Sequence, residues 1–160
     1  MTTDRHAIDY RALAGFRYEI RRFLNFSENA ARAAGIEPQQ HQALLALEGL
    51  PSAMPATVGA LAERLQIRHN SAVELSRRLE AKGLVVRTRS RADAREVLLR
   101  VTPRGGRLLA RLSLAHRDEL GTAGPRLIDA LRSVIARKRV SARRREDSAN
   151  DRFRRYGKKR

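Results

Sequence analysis

The stretch TVGALAERLQIRHNSAVELSRRLEAKGLVVRTRSRADAREVLLRV, residues 57–101, decides the fold. Val58, Leu61, Ala62 and Leu65 recur at helical spacing, and after Gln66-Ile67 a second run places Ala72, Leu75, Ser76 and Leu79 on one face. Gly83 closes that run, because glycine most readily takes the left-handed conformation that ends a helix. Leu84 to Arg89 then switches to β-formers. A polar loop, Ser90 to Arg95, leads into Glu96 to Val101. Two short helices, each with one apolar stripe, followed by a hairpin predict a winged helix-turn-helix. Its second helix, about 69–82, would lie in a DNA major groove.

Working outward, Asp9 to Ala33 predicts a helix with Tyr10, Leu13, Phe16, Ile20, Phe23 and Leu24 as its stripe. Of the four phenylalanines, Phe16, Phe23 and Phe26 fall here. So much bulky apolar surface suits either a cover for the helix's own domain or, as we expect, a dimer interface. Gly35 ends this helix and Pro38 opens the next, which buries Leu44, Leu45 and Leu47 along with Gln42 and Leu50. Thr57 caps the helix that follows. Beyond the hairpin, Thr102-Pro103 starts a helix carrying Leu108, Leu109, Leu112 and Ala115. Gly121 to Pro125 predicts an interruption before a last amphipathic run from Leu127 to Ile135. The expected fold is mainly α with a small β-hairpin: domain 1–137, core 57–101, dimerisation helices 9–33 and 103–137. Residues 139–160 hold ten Lys/Arg against three Asp/Glu. The segment 138–160 therefore reads as a basic tail, flexible or loosely helical.

The chain has 160 residues, a formal net charge of +17 and no cysteine. The charge points to a polyanionic partner, and the missing thiols exclude disulfides and cysteine-ligated metal. No apolar run approaches the ~20 residues needed to span a bilayer, and the first residues lack a signal-peptide core. The expectation is a cytoplasmic protein without membrane contact. His6, His41, His69 and His116 have no metal-ligand spacing, and no nucleophile or phosphate-cradling glycine motif appears. We expect neither enzyme activity, metal nor cofactor.

Several segments, in order, resemble the MarR family of winged helix-turn-helix transcriptional regulators. They are Leu61-Ala62-Glu63-Arg64-Leu65, Ser71-Ala72-Val73, Arg78 to Val85, Asp93-x-Arg95, and Leu99-x-Val101-Thr102-Pro103-x-Gly105. Pro38 to Gln42 with Leu44-Leu45 looks like the family's second helix. The resemblance covers about residues 10–137. It implies a homodimer on a pseudo-palindromic operator, usually a repressor, released by a small, often aromatic, effector. Scattered residues such as Phe16, Ile20 and His41 would line the effector cleft; they also suit plain packing.

The candidate base readers are Arg68, His69, Asn70, Ser71 and Arg77, with Arg78 nearer the backbone. Asparagine pairs with adenine and arginine with guanine, while Arg68 or His69 also suits a phosphate. Ser71-x-x-Glu74 fits a capping box as well as a DNA contact. In the wing, Arg87, Arg89, Arg91 and Arg95 face only Asp93, which suits a narrow minor groove. The resemblance makes Arg95 the inserted residue and Asp93 the carboxylate orienting it; the alternative is a solvated surface pair. An architectural or RNA-binding protein with little sequence preference is the other reading of this charge. The basic helix and wing carry no stacking aromatic, which favours duplex DNA.

Overall fold

In the computed structural model, seven elements follow one another: α1 (Tyr10–Ala33), α2 (Pro38–Glu48), α3 (Val58–Leu65), α4 (His69–Ala81), β1 (Val85–Arg89), β2 (Val97–Val101) and α5 (Pro103–Tyr156). The structure describes residues 9–90, 93 and 95–156, with residues 137–156 described as backbone only. The predicted wing arginine Arg91 and the side chains of the basic tail lie outside the described residues. The chain forms two units, Asn25–Asp118 on one hand and Met1–Leu24 with Glu119–Arg160 on the other.

The Asn25–Asp118 unit holds the winged core. Local chemistry sets each boundary. At the end of α1, Gly35 takes φ +81°. Its N–H and that of Ile36 donate to the carbonyls of Arg32 and Ala31, a paired closure that satisfies two carbonyls of the last turn. Pro38 opens α2 as expected, and the buried Gln40 side chain accepts from the Glu37 N–H at 3.0 Å. Thr57 caps α3, its Oγ1 accepting from the Ala60 N–H at 3.0 Å. The face of α2 differs from the expectation. Gln40, His41, Ala43, Leu44 and Leu47 are the buried set, while Leu45 is 46% exposed and Gln42 is on the surface. Leu44 and Leu45 have equal transfer energies, so only the phase of the helix distinguishes them.

Leu44, Leu61, Leu75, Leu79 and Val85 form the most deeply buried part of the core. Each such side chain contributes roughly 1.5–3 kcal/mol of apolar transfer energy. The strands pair antiparallel from Val85↔Val101 to Arg89↔Val97. A short bridge, with Leu99 donating to the Ala56 carbonyl at 2.7 Å, ties the hairpin to the chain just before α3. Thr102 Oγ1 donates to the Gly83 carbonyl at 2.8 Å and accepts from the Gly105 N–H at 3.1 Å. One side chain thus caps α5 and holds it to the turn after α4.

In the other unit, Glu19 forms ion pairs with Arg126 at 3.5 Å and Arg22 at 3.6 Å, and Ala123 is 4% exposed. The interruption expected at Gly121 to Pro125 does not occur: α5 runs unbroken through Pro125 to Tyr156. An internal proline costs a helix about 3 kcal/mol. Buried Ala123 and the Arg126–Glu19 pair flank the proline in the continuous helix. The helical backbone also continues to Tyr156, into the segment read as a flexible or loosely helical tail.

Two glycines of α5 separate close approach from mere composition. A Cβ on Gly105 would collide with the Leu84 carbonyl oxygen and stand 2.9 Å from Val101 Cγ1, whereas one on Gly121 would meet nothing within 4 Å. Urea unfolding should therefore show Gly105→Ala to be destabilised by about 1–3 kcal/mol. Gly121→Ala should gain about 0.5–1 kcal/mol. Equal midpoints for the two variants would contradict this packing.

Candidate nucleic-acid interface

The face that α4 turns inward determines what it can present. Ala72, Leu75, Ser76 and Leu79 are buried, and Ser76 Oγ satisfies itself on the Val73 carbonyl at 2.7 Å. The opposite face, with His69, Asn70, Ser71, Glu74, Arg77 and Arg78, is exposed, as is Arg68 just before it. The turn from α3 into α4 passes through Gln66 at φ +54°. A non-glycine residue there costs on the order of 1 kcal/mol. The N–H of Ile67 donating to the Ala62 carbonyl at 3.0 Å closes α3 around it. This tight turn aims the first residues of α4 outward.

The capping-box reading of Ser71 and Glu74 does not hold. α4 begins at His69, with Arg68 at the cap position and no side-chain cap there. Ser71 is therefore an exposed residue within the first turn and available to a ligand. Glu74 instead pairs with Arg77 at 3.8 Å, both side chains more than half exposed. Such a pair is worth under about 1 kcal/mol and leaves Arg77 able to turn to a stronger acceptor. Arg78 lines a hollow of about 430 Å³ with Glu28, Arg32, Glu37 and Gln39.

At its far end α4 closes on Gly83, φ +67°, with Leu84 donating to the Leu79 carbonyl at 3.0 Å. The wing follows. Its base is locked by Glu80, whose carboxylate accepts the Arg87 N–H at 3.2 Å and lies 3.6 Å from the Arg87 guanidinium. Arg87 keeps only 18% of its side chain exposed. It differs in this from Arg89 and Arg95, which are exposed and, among the described residues, in no ion pair. Asp93 acts on backbone: its Oδ1 accepts the Arg95 N–H at 2.8 Å, and its carbonyl accepts the Glu96 N–H at 3.0 Å. The carboxylate thus shapes the loop that presents Arg95 and leaves the guanidinium unengaged. Arg100, exposed on β2 opposite Val86 and so on the other face of the hairpin from Arg89, is a further cation that was not singled out from sequence. An alternation of inward and outward residues in β2 was the available signal.

Of the residues expected to line a cleft, Phe16 and Ile20 are half-buried in one unit, and His41 belongs to the other. His41 is 2% exposed and its ring lies 4.7 Å from that of His116, tilted by 34°. Phe26 meets His116 edge-on at 5.5 Å. The Leu112 carbonyl, 2.6 Å from His116 Nδ1, can only accept, so that nitrogen donates, and Nε2 lies 2.8 Å from the Ser27 hydroxyl. The buried Nδ1 of His41 has no hydrogen-bond partner among the described residues. Nothing in the sequence marked His41 and His116 as neighbours.

The MarR family profile matches residues 34–96. Over 119 residues the chain is 30% identical to a protein of Thauera aromatica that carries the name of a transcriptional regulator for the hcr operon. That alignment covers 74% of this chain and 70% of the other. The chain belongs to the MarR family of transcription regulators. Its DNA-binding element is the winged helix described above. The fold matches that of a MepR point mutant of Staphylococcus aureus bound to an oligodeoxyribonucleotide, with a TM-score of 0.59 at 20% identity over 84% of this chain and 98% of that one. It also matches CouR of Rhodococcus jostii bound to p-coumaroyl-CoA, with a TM-score of 0.54 at 23% identity over 70% and 82%.

Burial, first, and the adjacent His116, second, lower the pKa of His41 below its ordinary 6.5. The folded state therefore favours the neutral ring, and the unfolded chain binds more protons as pH falls below 6.5. Stability from this residue is present above that pH and is lost as pH drops towards the folded value. The urea midpoint should be lower at pH 5 than at pH 7.5, and His41→Gln should flatten the difference. An unaltered pH dependence in the variant would remove His41 as its source.

Proposed function

We propose that this MarR-family chain acts as a cytoplasmic homodimeric repressor, without catalytic activity, that reads a pseudo-palindromic duplex operator and releases it on binding a small effector. One observation carries the DNA reading. α4 has its apolar stripe fully inside the core and a basic, polar face outside, next to a wing whose Arg89 and Arg95 are unpaired among the described residues. In this reading Asn70, Ser71 and Arg77 face base edges, Arg68 and His69 meet base or phosphate at the helix start, and Arg78 approaches the backbone. Arg95, with Arg89 beside it, enters the minor groove, while Arg87 holds the wing's base and Asp93 its tip. The oligodeoxyribonucleotide held by the MepR mutant supports the choice of DNA over RNA. So does the lack of aromatic residues from Arg68 to Val101.

The dimer rests on a second observation. Tyr10, Leu13, Leu24, Ile128, Leu131 and Ile135 are each at least 41% exposed, all within the unit formed by the two chain ends. A patch of that kind suits a second copy of the same surface. Two-fold symmetry would centre the half-sites ~10 bp apart. Effector release follows from the family and from the p-coumaroyl-CoA bound to CouR. Phe16, Ile20 and His41 are the side chains we would test for it.

Gel-shift titration on the DNA upstream of the protein's own coding sequence tests the proposal. Arg95→Ala should lose about 1–3 kcal/mol of operator affinity while sedimentation still reports a dimer. Arg77→Ala should change which operator variants are preferred. If it weakens all of them equally, Arg77 touches phosphate only. Leu131→Glu should yield monomers with much weaker operator binding. A wild-type chain that sediments as a monomer, or that binds all duplexes alike, would overturn the proposal.

A further inference from the structure

A second basic surface lies away from the reading face. The end of α1 (Ala34, Gly35, Ile36), the end of α4 (Ala81, Lys82) with Leu84, and the first turns of α5 enclose a hollow of about 530 Å³, all within the Asn25–Asp118 unit. Ile36 and Leu84 are buried and Leu108 is half-buried, so they offer an apolar lining. The charged residues around it are Lys82, Arg104, Arg107 and Arg111, and no carboxylate lines it. The three arginines stand at i, i+3 and i+7, on one face of α5 and over about 10 Å of helix. Among the described residues none of the three takes part in an ion pair. Lys82 is already engaged, donating to the Gly35 carbonyl at 2.8 Å.

Like charges gathered on one side of a concavity repel one another and concentrate anions within it. Guanidinium groups in particular match phosphate oxygens with two parallel hydrogen bonds. The volume lies within the ~300–1,000 Å³ usual for small-molecule sites. We propose that this hollow binds a small molecule bearing at least two phosphates: Arg104, Arg107 and Arg111 take the phosphates, and an apolar or ring-shaped portion rests against Ile36, Leu84 and Leu108. The hollow adjoins the C-terminal end of α4, about 18 Å along that helix from Arg68 to Asn70. A ligand there is distinct from the duplex. The inference stands whether or not the operator reading holds.

Isothermal titration of the full-length protein at 150 mM salt tests it, with ADP as the probe, adenosine as the phosphate-free control and inorganic pyrophosphate as competitor. One saturable ADP site per chain is expected, with adenosine inert and pyrophosphate competing. Arg107→Gln/Arg111→Gln should weaken ADP at least tenfold, and Arg104→Gln alone at least threefold. The charge-matched Arg17→Gln/Arg21→Gln should stay within twofold of wild type. Circular dichroism confirms that each variant is folded. Absence of saturable ADP binding would overturn the proposal, as would equal losses in the two double variants, which would mean general attraction to a +17 chain. A gel shift on duplex DNA separates the remaining source of phosphate. The Arg107→Gln/Arg111→Gln variant should hold duplex within about threefold of wild type. A loss there as large as for ADP would assign the arginines to the DNA backbone instead.

Discussion

Burial of a single stripe on α4 is the constraint on which the rest of this structure depends. Ala72, Leu75, Ser76 and Leu79 meet the core that Leu44, Leu61 and Val85 complete. With 3.6 residues per turn, committing those four positions leaves Asn70, Ser71, Glu74, Arg77 and Arg78 no direction except outward. The reading surface is thus a consequence of core packing. Ser76, polar yet fully enclosed, fits because its hydroxyl bonds to its own helix. Its burial completes the stripe without leaving a polar atom unpaired.

Around that helix, charge is used in two different ways. Glu80 grips Arg87, Asp93 grips the peptide N–H of Arg95, and Lys82 caps the end of α1. These contacts hold backbone in place. The remaining cations, Arg89, Arg95 and Arg100 on the wing and Arg104, Arg107 and Arg111 on α5, are exposed and in no ion pair among the described residues. A folded chain that spends its few nearby carboxylates on geometry keeps a field of guanidinium groups directed at solvent, and that field draws polyanions. Carboxylate placement therefore separates the arginines that shape the wing from those in no ion pair among the described residues.

The two units place different demands on the same two long helices. Within Asn25–Asp118, α1 and α5 contribute Ser27, Ala31, Leu109 and Leu112 to closed packing, and His116 of α5 meets His41 of α2 at 4.7 Å. In the other unit the helices leave Tyr10, Leu13, Ile128 and Leu131 in the open. A helix stripe that is apolar along its whole length but buried along only part of it is the surface we propose a second copy of the chain covers. Pro125 falls in this second unit, flanked by an ion pair and one buried alanine within the continuous α5.

Sequence by itself determined the winged helix-turn-helix, because its signals are local. Helical spacing from Val58 to Leu79, Gly83 at the turn, β-formers on either side of a polar loop, and the caps at Thr57 and Thr102 each depend on neighbours a few positions away. The family motifs rest on the same segments. Only tertiary structure decided what depends on distant partners. It turned Leu45 outward and His41 inward on α2, carried α5 through Pro125, withdrew Arg87 to Glu80, and dissolved the capping box at Ser71. It also brought His41 to His116, and Lys82 to the arginines of α5. Residue spacing encodes which side chains share a face. Which face is buried, and which charge finds a partner, is settled by elements that meet only after the chain has folded.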